Sequence, residues 1–183
     1  MKHYIKTTLY LIAFTTLFLS CSDQLDRTPI DELEESTAYN TVSDLGAGLA
    51  GAIGGININA TIRFNSIFTD NGKIGLDNGG QRLPLLNQLI DPNGGDEGLW
   101  TSHYRTINNF NRVIAASENI TVGAADRNEF NNILAQCYAF RAYLHSELFV
   151  YYSLNMNDAT AGSIPYQNTV ATSGSLGRLS TED

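Results

Sequence analysis

Two long stretches of this chain repeat apolar residues every three or four positions, and no other feature limits the possible folds so tightly. The first carries Trp100, Tyr104, Ile107, Phe110, Val113 and Ile114. The second carries Phe130, Ile133, Leu134, Cys137, Tyr138, Leu144, Leu148 and Tyr151, with Arg141 among them. That spacing lays one apolar face along an α-helix. Asp96 is placed to cap the first helix, which is expected to run from Glu97 to near Glu118. Asp126 and Glu129 form an Asp-x-x-Glu box that predicts a second helix from there to about Tyr152. A short polar turn between two such helices makes them an antiparallel pair, the unit of helical repeat folds. The expected class is mainly α.

A third helix is expected upstream. Thr41 and Asp44 form a Thr-x-x-Asp cap arrangement, and Val42, Leu45, Leu49, Ile53 and Ile56 make one stripe, predicting a helix from about Val42 to Ile53. Gly46, Gly48, Gly51, Gly54 and Gly55 weaken it by about 0.5–1 kcal/mol each relative to Ala wherever they lie inside it, so it needs packing partners. The Gly51-x-x-x-Gly55 spacing reads as close packing against soluble helices, because the apolar stretch is too short for a transmembrane dimer face. From Gly54 to Asp96 the residues are rich in Asn, Gly and Asp and read mostly as long loops. Ile62, Phe64 and Ser66 alternate weakly, so at most one strand or a short hairpin is expected there. Asn155 to Ser175 reads as a second loop, polar except for Ile164-Pro165-Tyr166. Ser180 or Thr181 followed by Glu182 and Asp183 looks like a helix start, so the chain is expected to hold the first part of a larger, truncated helical fold.

The N-terminus predicts export. Lys2 and Lys6 precede a short apolar run, Leu9 to Leu19, that ends at the small Ser20, the layout of a secretory signal over residues 1–20. A retained anchor helix is the alternative, disfavoured because the run is short for a bilayer. Cys21 directly follows Leu17-Phe18-Leu19-Ser20, the layout of a lipoprotein cleavage site, where the new terminal thiol takes a diacylglycerol. The competing reading pairs Cys21 with Cys137, yet two cysteines make no disulfide framework and Cys137 falls on a helix's apolar face. Residues 21–35, which include Asp23, Asp26, Asp31, Glu32, Glu34 and Glu35, read as an acidic tether, either an outward-sorting signal or an ordinary solvated tail. Residues 36–183 form the helical region.

Charge narrows the partners. Eleven Lys and Arg oppose nineteen Asp and Glu, and loss of residues 1–20 removes two lysines and no acid, leaving a net charge of −10. That sign is wrong for nucleic acid and for adhesion to anionic lipid, so membrane residence would rest on the acyl anchor.

Little in the sequence suggests catalysis. His103 and His145 stand alone on their helices, with neither a His-x-x-x-His pair nor a Gly-x-Ser-x-Gly elbow. Asp91-x-Asn93-x-x-Asp96 lacks the spacing of a calcium loop and reads as a turn with a cap. No metal or cofactor site is expected. Sugar recognition needs amides, carboxylates and arginine to match hydroxyls, together with an aromatic face. Asp70, Asn71, Asp77, Asn78, Gln81 and Arg82 are the ligand-binding candidates, with turn formation as the competing reading. Residues 54–99 hold no Trp or Tyr, so a stacking platform would come from elsewhere. Trp100 and Tyr104 read as core, and Arg141, set among Leu134, Cys137, Leu144 and Leu148, reads as structural.

An ordered set of motifs carries a resemblance. The order is Cys21-Ser22-Asp23; Ser43-Asp44-Leu45; Leu99-Trp100-x-x-x-Tyr104-x-x-Ile107-x-x-x-Asn111-x-x-Ile114; Ala135-x-x-Tyr138-x-Phe140-Arg141-Ala142-Tyr143; Ile164-Pro165-Tyr166; and Arg178-Leu179-Ser180-Thr181. Together they resemble the N-terminal part of the SusD/RagB family of outer-membrane nutrient-binding lipoproteins. The resemblance spans essentially the whole chain but about the first third of a usual member. It implies tetratricopeptide-like helix pairs in an incomplete SusD-like fold, with Trp100, Tyr104, Asn111 and Arg141 as structural residues. It also implies a non-enzymatic surface protein, lipid-anchored through Cys21 in the cell outer membrane. Such a protein would bind a glycan or other nutrient and deliver it to a SusC-like TonB-dependent transporter. A helical-repeat scaffold lipoprotein that binds protein partners is the alternative.

Overall fold

The computed structural model describes residues 38–69, 71–73, 75, 77–89, 98–171 and 176–182. The signal, Cys21 and the acidic tether lie outside the described residues, as do Asp70 and the Asp96 cap. The fold is mainly α, with five helices among the described residues, all in the unit Tyr39–Asp183. They are α1 Val42–Gly54, α2 Ile58–Phe68, α3 Leu83–Leu86, α4 Leu99–Ser117 and α5 Arg127–Tyr152.

Helix α1 begins where its cap residues require. Thr41 Oγ1 accepts the Asp44 amide at 3.2 Å, and the Asp44 carboxylate accepts the amides of Thr41 at 2.8 Å and Asn40 at 3.0 Å. The Asn40 amide and then the two Thr41 donors hold the Asp44 carboxyl below its ordinary range. Val42, Leu45, Leu49 and Ala52 are buried, at the three- and four-residue steps of one face. Close approach falls at Gly55, where a Cβ would lie 3.2 Å from Thr106 Oγ1, and at Gly48, but not at Gly51. A Cβ on Gly48 would lie 2.6 Å from the Tyr39 ring and 3.0 Å from Val113 Cγ2, whereas one on Gly51 would meet open space.

Helix α2 overturns the expected loop or hairpin. Asn57 caps it by accepting the Ala60 amide at 3.1 Å, and the buried positions are Ala60 and Phe64, a helical step of four. Ile62 is 57% exposed, so the alternation over Ile62, Phe64 and Ser66 was never a strand face. The β-branched Ile58, Thr61, Ile62 and Ile67 disguise a helix whose apolar face is narrow. Phe64 stacks on Phe68 at 5.1 Å and meets the edge of Tyr151 at 5.3 Å, forming with Leu85 and Leu99 a small second core. By length and mean hydropathy the stretch Val42–Phe68 is apolar enough to cross a membrane. It is divided into two helices whose buried residues belong to different cores.

Helices α4 and α5 form the expected antiparallel pair. Contacts run in opposite order along them: Trp100 with Tyr152, His103 with Glu147, Phe110 with Phe140, and Asn111 with Arg141. Helix α1 packs on both. The main core joins Leu45, Leu49, Ile107, Phe110, Val113, Cys137, Leu144 and Leu148. The start of α5 is where the Asp-x-x-Glu box predicts it, but the Asp126 side chain makes no cap bond. The end of α4 and start of α5 are joined by a turn in which Arg127 donates to the Val122 carbonyl at 3.3 Å.

Beyond α5 the chain folds back on itself. Ser163 N–H donates to the Leu179 carbonyl at 2.8 Å, Thr181 N–H to that of Ala161 at 2.9 Å, and Gly162 bridges Ser180 in antiparallel sense. Ser180 thus lies in extended pairing and does not open a helix among the described residues. Extended pairing is found here, where a loop was expected, and not among the described residues of 54–96.

Candidate functional site

The loop 163–171 crosses the α4–α5 pair, and side chains from both helices grip its backbone. Asn111, 2% exposed, uses both amide hydrogens on the carbonyls of Gln167 at 3.1 Å and Thr169 at 2.8 Å. Its Oδ1 accepts from Arg141 at 2.9 Å, and the same guanidinium nitrogen donates to the Asn168 carbonyl at 3.1 Å. The Tyr104 hydroxyl donates to the Pro165 carbonyl at 2.7 Å. Asn108 Oδ1 accepts the Ala171 amide at 2.8 Å and the Gln167 side-chain amide at 3.0 Å. Each such bond contributes about 0.5–1.5 kcal/mol, and leaving one buried partner unmade costs more.

His145 completes the grip. Its Nδ1 lies 2.9 Å from the Arg141 carbonyl, which can only accept, so Nδ1 carries the hydrogen. Nε2 then accepts the Gln167 amide at 3.2 Å. The second bond requires a neutral ring, since a protonated Nε2 could only donate. Burial, with a smaller contribution from the Arg141 charge, holds its pKa below the ordinary imidazole value, against the opposing bond to the Arg141 carbonyl.

At the other end of the pair, the rings of Trp100, Tyr104 and Tyr152 pack together, with centroids 4.9 and 5.0 Å from that of Trp100. Arg178 lies 5.6 Å over Trp100 and donates to the carbonyls of Tyr152 and Ser163. Burial pushes the Tyr104 hydroxyl up to about 12, with Arg178 opposing. Also between α4 and α5, the buried His103 Nε2 meets Glu147 at 2.7 Å, and Tyr143 donates to the other carboxylate oxygen at 2.7 Å. That bond, more than burial, raises Tyr143 to about 12.

The gripped loop forms one wall of an open cleft of about 330 Å³. Ile164 and Tyr166 come from the loop, Phe149 and His145 from α5, and Leu179 and Thr181 from the returning segment. Ile164 is buried, while Tyr166 is 48% exposed with its ring 5.0 Å from that of His145.

The described candidates Asn71, Asp77, Asn78, Gln81 and Arg82 are not among the residues lining this cleft. Asn71 donates to Thr69 Oγ1 at 2.9 Å, just past the end of α2. Asn78 accepts the Gly80 amide at 3.0 Å and donates to the Gln81 carbonyl at 2.6 Å, closing a turn through Gly79 and Gly80 at positive φ. Arg82, at φ 58°, is the N-cap residue of α3, and Asp77 is exposed. Asn78, Gln81 and Arg82 thus share one turn, and Asp70 lies outside the described residues.

Sequence reasoning treated Tyr166 and Ile164 as one apolar item in a polar loop and His145 as a lone helix residue. The usable signal was that small apolar item itself: three adjacent bulky residues, one a proline, in a mostly polar segment have no reason to be there unless something holds them. No family model matches the chain, and no curated protein matches it.

Proposed function

We propose that this protein is a non-enzymatic, surface-exposed lipoprotein of the cell outer membrane that binds an oligosaccharide or similar nutrient. On this reading Cys21 carries the lipid anchor, and the bound nutrient passes to a SusC-like TonB-dependent transporter. The observation that supports it is convergence. Tyr104 and Asn111 from one string of the motif set, Arg141 from a second and Arg178 from a third all donate to the backbone of the loop that carries a fourth, Ile164-Pro165-Tyr166, Arg141 doing so at Asn168 and Arg178 at Ser163. Strings that matched by chance would have no cause to meet around a single cleft wall.

The experiment is recovery of the lipidated protein from native membranes, with co-purification of a barrel transporter and affinity electrophoresis against a glycan panel. A retained barrel and at least one retarding glycan are expected; finding neither overturns the proposal. One feature favours the second reading, a scaffold for protein partners. The exposed residues of α5 between Asn131 and Val150 carry no charge and include Tyr138, Tyr143 and Val150. Co-purification of a soluble protein in place of a barrel, with no glycan bound, would decide for it.

A further inference from the structure

We propose that the cleft between α5, the gripped loop and the returning segment binds one uncharged, hydroxyl-bearing ring, a neutral pyranose unit, and rejects acidic and amino sugars. The inference rests on the nutrient-binding reading and narrows it to a chemical class.

Three observations carry it. The first is charge: none of the described residues lining the cleft is charged, in a chain with nineteen acidic and eleven basic residues. A carboxylate or ammonium entering it would lose water without gaining a counter-ion.

The second is hydrogen-bond polarity. Ser146 donates its hydroxyl proton to the Tyr143 carbonyl at 2.7 Å, and Thr181 donates its own to the Ala161 carbonyl at 3.0 Å. Both oxygens therefore face the cleft with lone pairs and no proton. His145 has both nitrogens engaged with backbone groups. The two hydroxyl oxygens can accept hydrogen bonds from a ligand's O–H groups.

The third is shape. Phe149, Ile164 and Leu179 supply apolar wall, and the half-exposed Tyr166 offers a ring at the rim. The volume suits a single small ligand. The C–H faces of a pyranose suit an aromatic and aliphatic wall, and its hydroxyl edge suits the serine and threonine oxygens.

Saturation-transfer NMR and calorimetry on the purified full-length protein, with cellobiose, maltose, galacturonic acid and glucosamine as probes, test the proposal. A neutral disaccharide is expected to bind, with the acidic and amino sugars weaker by at least about tenfold. Tyr166→Ala is expected to weaken the neutral sugar by about tenfold, through loss of the ring contact. Tyr138→Ala, an exposed aromatic on α5 outside the cleft, serves as the control and should leave binding unchanged. Retained helical circular dichroism in Tyr166→Ala assigns the loss to the site. Equal or tighter binding of galacturonic acid or glucosamine overturns the inference while leaving nutrient binding intact. So does undiminished cellobiose or maltose binding in Tyr166→Ala. Failure of every sugar to bind defeats this inference and counts against the nutrient reading as well.

Discussion

Gly48 and Gly51 are alike on paper and opposite in space. A methyl group at Gly48 would press into the Tyr39 ring and Val113, so Gly48→Ala is expected to destabilise the protein by about 1–3 kcal/mol. At Gly51 the methyl meets nothing and removes backbone freedom from the unfolded chain, so Gly51→Ala should stabilise by about 0.5–1 kcal/mol. Urea unfolding of the two variants separates them, and equal effects would contradict the packing described here. His145 makes a second prediction at this scale. Its folded pKa lies below the unfolded value of 6.5, so the unfolded chain takes up a proton first as pH falls. The neutral-ring contribution is fully present above pH 6.5 and is lost as pH drops through the depressed folded value. In a proton-NMR titration the His145 ring should stay neutral where a free imidazole is half charged; titration at or above 6.5 would refute the buried, neutral ring described here. None of this was legible in the residues themselves. Glycines carry no mark of which face they occupy, and a histidine's protonation is set by the carbonyl and amide that the fold brings to it.

Among the elements, legibility followed the strength of periodicity. Helices α1, α4 and α5 announced themselves through stripes of bulky residues at steps of three and four, and α1 through a cap box that forms as read. The box at α5 marked the right place by another cause, since Asp126 leaves its side chain out of the helix cap. Helix α2 was hidden because its buried residues are only Ala60 and Phe64, while Ile58 and Ile62 put apolar side chains on its exposed side as well. A pair of substitutions tests that assignment. Phe64→Ala should cost about 3–5 kcal/mol by opening a cavity beside Phe68 and Tyr151. Ile62→Ala, on the solvent side, should change stability by less than about 0.5 kcal/mol. A large loss at Ile62 in thermal or denaturant unfolding would point back to a strand.

At the scale of the molecule, the described fold is a three-helix core with a small satellite core and a loop fastened across the paired helices. The described ligand candidates, Asn71 to Arg82, and the cleft are separate places. Amide and carboxylate side chains serve turns as readily as ligands, and only tertiary contacts say which. Asn71 and Asn78 make local bonds. What became the cleft wall was visible in the sequence only as three bulky residues without a stated purpose. Under the proposed function, Cys21→Ser should release the protein from the membrane fraction on cell lysis, as judged by ultracentrifugation and immunoblot. Continued sedimentation with membranes would mean that some other segment holds it there. Cys137, buried and with its thiol pushed up to about 11, offers no substitute site for acylation in the folded protein.

Asn111 and Asn108 reach loop residues some sixty positions away in the chain, and that separation has a consequence in time. The loop cannot be fastened until α4 and α5 have already docked, because no single helix presents the full set of donors and acceptors. Closing this wall is therefore expected to be a late event in refolding and an early one in local opening. The amides of Gln167 and Ala171, which bond to side chains and not to backbone, would report it. They should exchange with deuterium before the mid-helix amides of α4, so the cleft could lose its wall while the helices beneath remain intact.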